Sequence, residues 1–169
     1  MSDKKLQILD SAAITQKVRR MAYEIVEDCY DDKELVLVGI EPNGYQFARL
    51  LKSEIEKIQN QKVELFPLKI DKEQPNIQTI ETTLKENQTL KSKTLILVDD
   101  VGNTGKTLFY ALATFTKMQP KKIKTAVLVE RQHKRFPVAS NFVGLSLSTT
   151  LQETIIVEFN GKNGVAYLE

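Results

Sequence analysis

The sequence predicts an α/β protein built on an open, mainly parallel sheet flanked by helices. Short, mostly apolar runs stand at 34–40 (ELVLVGI), 94–98 (TLILV) and 123–129 (IKTAVLV), as expected of strands covered on both faces. Between them, apolar residues recur at the three- and four-residue spacing of helices. Strands alternating with helices are the pattern of a parallel sheet.

The first helix is marked by Ile14, Val18, Met21, Ala22, Ile25, Val26 and Cys29, with Asp10 or Ser11 as its N-cap. Strand 34–40 follows, and the tetrapeptide EPNG, Glu41 to Gly44, turns the chain. Phe47, Leu50, Leu51, Ile55 and Ile58 mark a second helix. Residues 63–70 predict another strand, in which Pro67 points to an edge or a bulge. From Asp71 to Lys93 the pattern breaks into polar sequence anchored only by Ile77, Ile80 and Leu84. A stretch of that kind is a β-arm or a mobile loop. After strand 94–98, Leu108, Ala111, Leu112, Phe115 and Met118 give a third helix, and strand 123–129 succeeds it. The tail holds short β-like runs at 141–145, 154–159 and 164–168.

The 169 residues suit one domain, 1–169, with a sizeable core. Hydrophobic and charged contents of 41% and 27% are those of an ordinary globular chain. No apolar run is long enough to cross a bilayer, and the first fifteen residues hold no signal-like segment. One cysteine, Cys29, excludes a disulfide framework; it is expected in the core of a protein from a reducing cytoplasm. Net charge is +2, too weak to announce a nucleic-acid binder. With His133 the sole histidine, a His-based triad is excluded.

In an open parallel sheet, ligands bind beyond the carboxyl ends of strands. The loop after strand 94–98 is therefore favoured, and with its strand it reads LILVDDVGNTGKTLFYAL. GNTGKT resembles the end of a triphosphate-binding loop, but that motif needs a glycine at position 100, where Asp100 stands. A dinucleotide fingerprint fails as well, because only Gly102 and Gly105 are present. What remains is a strand, two acids, a short turn and a helix. Amides from Asn103 to Thr107 at a helix N-terminus, with the hydroxyls of Thr104 and Thr107, suit one compact phosphate. Asp99 and Asp100 suit the vicinal hydroxyls of a sugar. A lone Asp-Asp pair would simply end a strand and cap a turn. The whole string at a favoured strand end points instead to a ribose 5-phosphate unit.

At these residues the chain resembles the type I phosphoribosyltransferases, whose 5-phosphoribosyl 1-pyrophosphate (PRPP) motif is similar to VDDVGNTGKT. ILDSAAITQKVRRMAYEIVE, LVLVGIEPNGYQFARLL and AVLVERQHKRFPVASNFVGLSLSTTLQETIIVEF look like the pyrimidine-operon-regulator and uracil phosphoribosyltransferase branch. The resemblance implies the type I phosphoribosyltransferase fold, with a small β-rich hood and a flexible arm. It implies transfer of a 5-phosphoribosyl group from Mg2+-bound PRPP to a nucleobase, uracil by branch, in a cytoplasmic homodimer serving nucleotide salvage. Asp99 and Asp100 would hold the ribose hydroxyls, and Val101, Gly102, Asn103, Thr104, Gly105, Lys106 and Thr107 the 5-phosphate. Glu41, Pro42, Asn43 and Gly44 fall in the place of the pyrophosphate loop, 71–93 in that of the arm, and 143–149 in that of the hood. The resemblance implies no direct ligation of a metal by a side chain.

Two departures bear on activity. The family places basic residues in the pyrophosphate loop, where this chain reads EPNG. Its arm opens with a Tyr-Arg pair, where 69–76 reads KIDKEQPN. Lys69, Lys72 and Lys106 are candidate substitutes, although a lysine does not reproduce an arginine fork. The alternative implied is a nucleotide-sensing regulator, RNA-binding in its branch. The basic residues Lys121, Lys122, Lys124, Arg131, His133, Lys134 and Arg135 are candidate RNA contacts, but at this net charge solvated loops are the favoured reading.

Overall fold

A computed structural model describes residues 5–85, 87–88 and 90–169. The elements in chain order are β1 (Leu6–Leu9), α1 (Ser11–Asp28), β2 (Glu34–Ile40), α2 (Asn43–Ile58), β3 (Lys62–Lys69) and β4 (Glu81–Thr82). They continue with β5 (Thr94–Gly102), α3 (Lys106–Phe115), β6 (Lys122–Arg131), β7 (Phe142–Leu147), β8 (Ile155–Asn160) and β9 (Asn163–Leu168). The main sheet is six-stranded in the order β4-β3-β2-β5-β6-β7, and all its pairs are parallel except β3 with β4. A second, three-stranded antiparallel sheet has the order β1-β9-β8.

The alternation of side chains along a strand divides the core in two. Leu35, Leu37, Ile96 and Val98 pack with the apolar stripes of α1 and α2, including Cys29. Val36, Val38, Leu95 and Leu97 pack on the other face with Leu108, Ala111 and Phe115 of α3, and with Leu84 and Leu90 beyond β3. The mostly apolar runs are thus strands with no solvent face. Burial of Cys29 pushes its thiol up to about 12, which leaves it an inert core group.

Asp10 is the N-cap of α1, its carboxylate accepting from Ala13 N–H at 2.7 Å. At the opposite end of the sheet from the candidate site, Asp32 gathers Thr94 Oγ1 at 2.7 Å, Lys122 Nζ at 3.0 Å and Lys121 Nζ. This ties the turn after α1 to the starts of β5 and β6.

The structure departs from the sequence pattern in places. EPNG reads as a turn, yet α2 begins at Asn43, which its side chain anchors by donating to Val157 O at 2.7 Å. The 143–149 run, expected in the hood, contributes its first five residues to β7, the edge of the main sheet. The small sheet is made instead by β1, β8 and β9. Pro67 behaves as expected: β4 covers only Leu68 and Lys69, so β3 is an edge at Pro67. The 71–93 stretch is the β-arm alternative, carrying a 3-10 turn at Ile77–Thr79 and β4; Glu86 and Thr89 fall outside the described residues.

Candidate functional site

Chain order reverses between β2 and β5: β2 leads outward to β3 on one side and pairs with the later β5 on the other. Such a switch point opens a crevice at the strands' carboxyl ends. Its depth comes from unequal lengths. Pairing with β2 stops at Gly39 opposite Val98, whereas β5 runs on to Gly102. Asp99 and Asp100 therefore overhang the end of β2, and the chain after Ile40 folds across in front of them.

The crossing segment comes very close. A Cβ on Gly44 would lie 2.8 Å from Val98 O, 2.9 Å from Asp99 Cα and 3.1 Å from Asp99 Oδ1. Only glycine lets the first turn of α2 rest against the acid pair. Beyond the acids, Gly105 takes the left-handed conformation with φ 83° and begins α3. Thr104 O accepts from Arg135 N at 2.9 Å and Phe136 N at 3.0 Å, which anchors the turn from behind. Lys106 N–H is taken by Thr104 Oγ1 at 3.3 Å. The other first-turn amides of α3 have no acceptor within the helix, and residues 106–108 line the cavity described next.

Asp99 to Leu108 line one cavity of roughly 280 Å³, together with Lys72, Glu73 and Ile155. All nine residues expected at the acid pair and phosphate loop are thus brought together. Glu41 and Pro42 are not among them: they line a neighbouring cavity of roughly 440 Å³ with Tyr45, Gln46, Lys69 and Ile70. Asn43 is engaged with Val157, and Gly44 is the spacer against Asp99.

Two residues take places at the site that the sequence did not assign: Lys72, a candidate substitute cation there, and Arg131. Lys72 donates from Nζ to Asp99 Oδ1 at 2.9 Å and to Asp100 Oδ1 at 3.2 Å. Arg131, weighed in the sequence as an RNA contact, is buried. It donates to Asn103 Oδ1 at 3.1 Å, Thr149 Oγ1 at 2.7 Å and Thr150 O at 2.8 Å. It thereby ties the loop before α3 to the segment after β7. Of the other basic candidates, Lys121 and Lys122 pair with Asp32, Lys124 with Asp28, and Lys134 with Glu130, while His133 Nε2 bonds Thr149 O.

Burial and the neighbouring Asp100 carboxylate push the Asp99 carboxyl up to about 8, against the opposing pull of Lys72. Burial would raise Asp100 as well, but hydrogen bonding to Asp99 and the Lys72 ammonium bring it below the usual range. Burial disfavours the Lys72 charge, and the two carboxylates outweigh that, so its pKa is raised. In effect the acid pair is a seat for one positive charge. Among the described residues, no three His, Cys, Asp or Glu side chains are grouped to hold a metal.

A family model described as "Phosphoribosyl transferase domain" matches residues 5–160. The chain belongs to the type I phosphoribosyltransferase family. Within it, the chain resembles proteins named "Bifunctional protein PyrR", which places it with the regulator branch. The PyrR of Clostridioides difficile (strain 630) is 32% identical across 98% of this chain and 98% of its own. That of Brevibacillus brevis is 37% identical across 91% and 89%. In three dimensions the chain is similar to a hypoxanthine-guanine phosphoribosyltransferase of Bacillus anthracis, with TM-score 0.75 and 17% identity over 97% and 98% of the two chains. It is similar also to the hypoxanthine phosphoribosyltransferase of Trypanosoma cruzi, with TM-score 0.74 and 17% identity over 95% and 94%. At that identity the likeness shows the type I phosphoribosyltransferase fold. No helix among the described residues is long and apolar enough to cross a membrane.

Proposed function

We propose that the chain, as one domain over 1–169, transfers the 5-phosphoribosyl group of PRPP to a nucleobase, with uracil the favoured acceptor. The observation that carries the reading is the single cavity in which a buried acid pair faces a glycine-bounded helix N-terminus. Asp99 and Asp100 accept from the ribose hydroxyls; Val101 to Thr107 hold the 5-phosphate through amides and the Thr104 and Thr107 hydroxyls. Glu41 to Gly44 border the pyrophosphate, with Gly44 setting the distance to Asp99.

In the reaction the C1–O bond breaks and its electron pair leaves with pyrophosphate. The base nitrogen supplies the pair for the new C1–N bond, and its proton passes to water. Positive charge builds on the ribose ring meanwhile, and the acids stabilise it through the hydroxyls they hold. Fixing both ends of the ribosyl phosphate supplies orientation. An acid pair already built around a cation fits Mg2+ arriving on the diphosphate, a mode in which few protein ligands are needed. When bound, that ion neutralises diphosphate charge. The lone buried Cys29 accords with a reducing cytoplasm. A homodimer is the expected assembly.

A sequence departure favours a second reading. Glu41 stands in the segment matching the family's basic pyrophosphate loop, and the arm lacks its Tyr-Arg pair. Each charge-assisted contact contributes roughly 1.5–3 kcal/mol, so losing two lowers the rate by about two to four orders of magnitude. On that reading the chain is a nucleotide-sensing regulator of pyrimidine gene expression that binds without efficient transfer. The test is a screen of PRPP, Mg2+ and each common base, following nucleotide and pyrophosphate formation. Product with uracil supports the transferase. Binding of uridine 5′-monophosphate (UMP) with no product from any base selects the regulator, whose RNA affinity would then fall steeply with salt.

A further inference from the structure

Lys72 occupies the place that this reading gives to ribose. Its side chain is 37% exposed, whereas those of Asp99 and Asp100 are 2% and 10% exposed, so it reaches inward from the arm. The two oxygens that it joins are those a vicinal diol would meet, since two hydroxyl donors satisfy the same pair of acceptors. Ammonium and ribose therefore exclude each other.

The backbone around Lys72 is fastened. Asp71 Oδ1 accepts from Glu73 N at 2.9 Å and Gln74 N at 3.1 Å, an Asx turn that sets the chain's direction. Lys106 Nζ, from the first residue of α3, holds Glu73 O at 3.1 Å. The movable part is the four-carbon stem of Lys72, whose rotamers change without disturbing either tie. Displacement also has a definite destination. The hydroxyls held by the acids sit on C2 and C3 of the ribose, and the diphosphate sits on the adjacent C1. A cation pushed off the acids by the diol thus stands beside the group that must leave. The turn before α2 supplies no cation there: its charged residue is Glu41.

We propose that Lys72 is an exchangeable counter-ion: it neutralises Asp99 and Asp100 in the empty site, gives them up to ribose, and then pairs with the pyrophosphate of PRPP. It would serve in place of the arginine missing from the arm. The inference rests on the proposed ribosyl-phosphate site and adds the residue that meets the leaving group. As the C1–O bond breaks, the electron pair passes to pyrophosphate oxygen, where the Lys72 ammonium balances the charge without giving up a proton.

The test compares wild type, Lys72→Met and Lys72→Arg by calorimetric titration with UMP and with PRPP·Mg2+, no base being present. UMP carries ribose and 5-phosphate but no pyrophosphate, so in titrations at pH 9, where Asp99 is ionised, Lys72 is for it only a competitor. For Lys72→Met, UMP should bind about 3-fold more tightly and PRPP about 10-fold or more weakly, the loss of one charge-assisted contact. Lys72→Arg should hold PRPP within about 3-fold of wild type, because the charge is kept. A merely structural lysine would move both ligands in one direction, as would partial unfolding, which a thermal melt reports. Equal loss of both ligands, or no change in either, overturns the role of Lys72 and leaves the site assignment standing. A wild type that binds neither overturns both.

Discussion

Gly44→Ala is the most exacting single-atom perturbation of this site. The added methyl would be centred 2.8 Å from Val98 O and 2.9 Å from Asp99 Cα. Ordinary van der Waals contact begins near 3.4 Å, so both gaps are short by at least half an ångström, and both neighbours are backbone of a central strand. Neither can rotate away; α2 must lift off β5. Overpacking of this kind costs about 1–3 kcal/mol. Alanine returns up to roughly 1 kcal/mol through helix propensity, less at a first-turn position. A net loss of about 1–2 kcal/mol lowers the melting temperature by roughly 2–8 °C in a chain of this size. Binding should suffer more than stability, because the displaced backbone carries Asp99. UMP affinity should fall about 10-fold or more, a shift of roughly 1.4 kcal/mol. Urea melts give the first quantity and calorimetric titration the second. An alanine variant with wild-type stability and wild-type UMP affinity would refute the contact between α2 and the acid pair.

Other substitutions probe the remaining supports. Gly105→Ala puts a side chain at φ 83° and against Phe136 O at 3.1 Å; it should cost about 1–3 kcal/mol in urea melts and weaken UMP binding. Arg131→Met frees Asn103 from the segment after β7 and should weaken UMP about 10-fold by titration; Arg131→Lys should not restore it, since a point charge cannot make three directed bonds. Asp32→Asn should cost about 1–3 kcal/mol at pH 7 while leaving UMP affinity unchanged, because Asp32 stands at the far end of the sheet. Burial alone would raise Asp32, but bonds from Lys121, Thr94 and Lys122 hold it down to about 2. Its stabilisation is therefore present above the unfolded carboxyl value near 4 and is lost as pH falls through about 2, where urea midpoints of the two proteins should converge.

What the sequence discloses follows how local the determining physics is. Strands 34–40 and 94–98 are legible because burial on both faces leaves an apolar run, and the 99–108 cavity wall because its glycines, hydroxyls and acids are contiguous. Leu6–Leu9 is illegible: it is a short, partly exposed strand that exists by pairing with β9, at the other end of the chain. EPNG looks like a turn because proline, asparagine and glycine prefer one; contacts with Val157 and β5 draw its second half into a helix. The 143–149 run is apolar enough for either sheet, and only its register against β6 decides. Lys72 is least legible of all. Nothing in KIDKEQPN marks it over Lys69, and its position depends on where β3 ends relative to the overhang of β5.

That overhang also explains how two consecutive strand residues serve one cation. Neighbours on a strand ordinarily face opposite sides of the sheet. Past Val98 there is no β2 partner, although β5 stays paired with β6 as far as Gly102, and Lys72 Nζ reaches Oδ1 of both carboxylates on that unpaired side. Crowded there, the acids divide their protonation: burial and Asp100 raise Asp99 to about 8, while Asp100 lies below the usual range. Near neutral pH the empty site thus carries one negative charge, matched by Lys72. On the proposed reading ribose takes acceptors on both acids, so its binding would favour the ionised form of Asp99 and release a proton. UMP affinity should accordingly rise with pH up to about 8 and then level off. Stability runs oppositely, because the folded-state pKa exceeds the unfolded one: the contribution of Asp99 is fully present below the unfolded value near 4 and is lost as pH rises through about 8. Phosphate ionisation near pH 6 adds its own slope, and Asp99→Asn separates the two by removing only the upper part of the rise. A wild-type affinity flat between pH 7 and 9 would show that Asp99 is already ionised in the empty site, and that Lys72 outweighs both burial and Asp100.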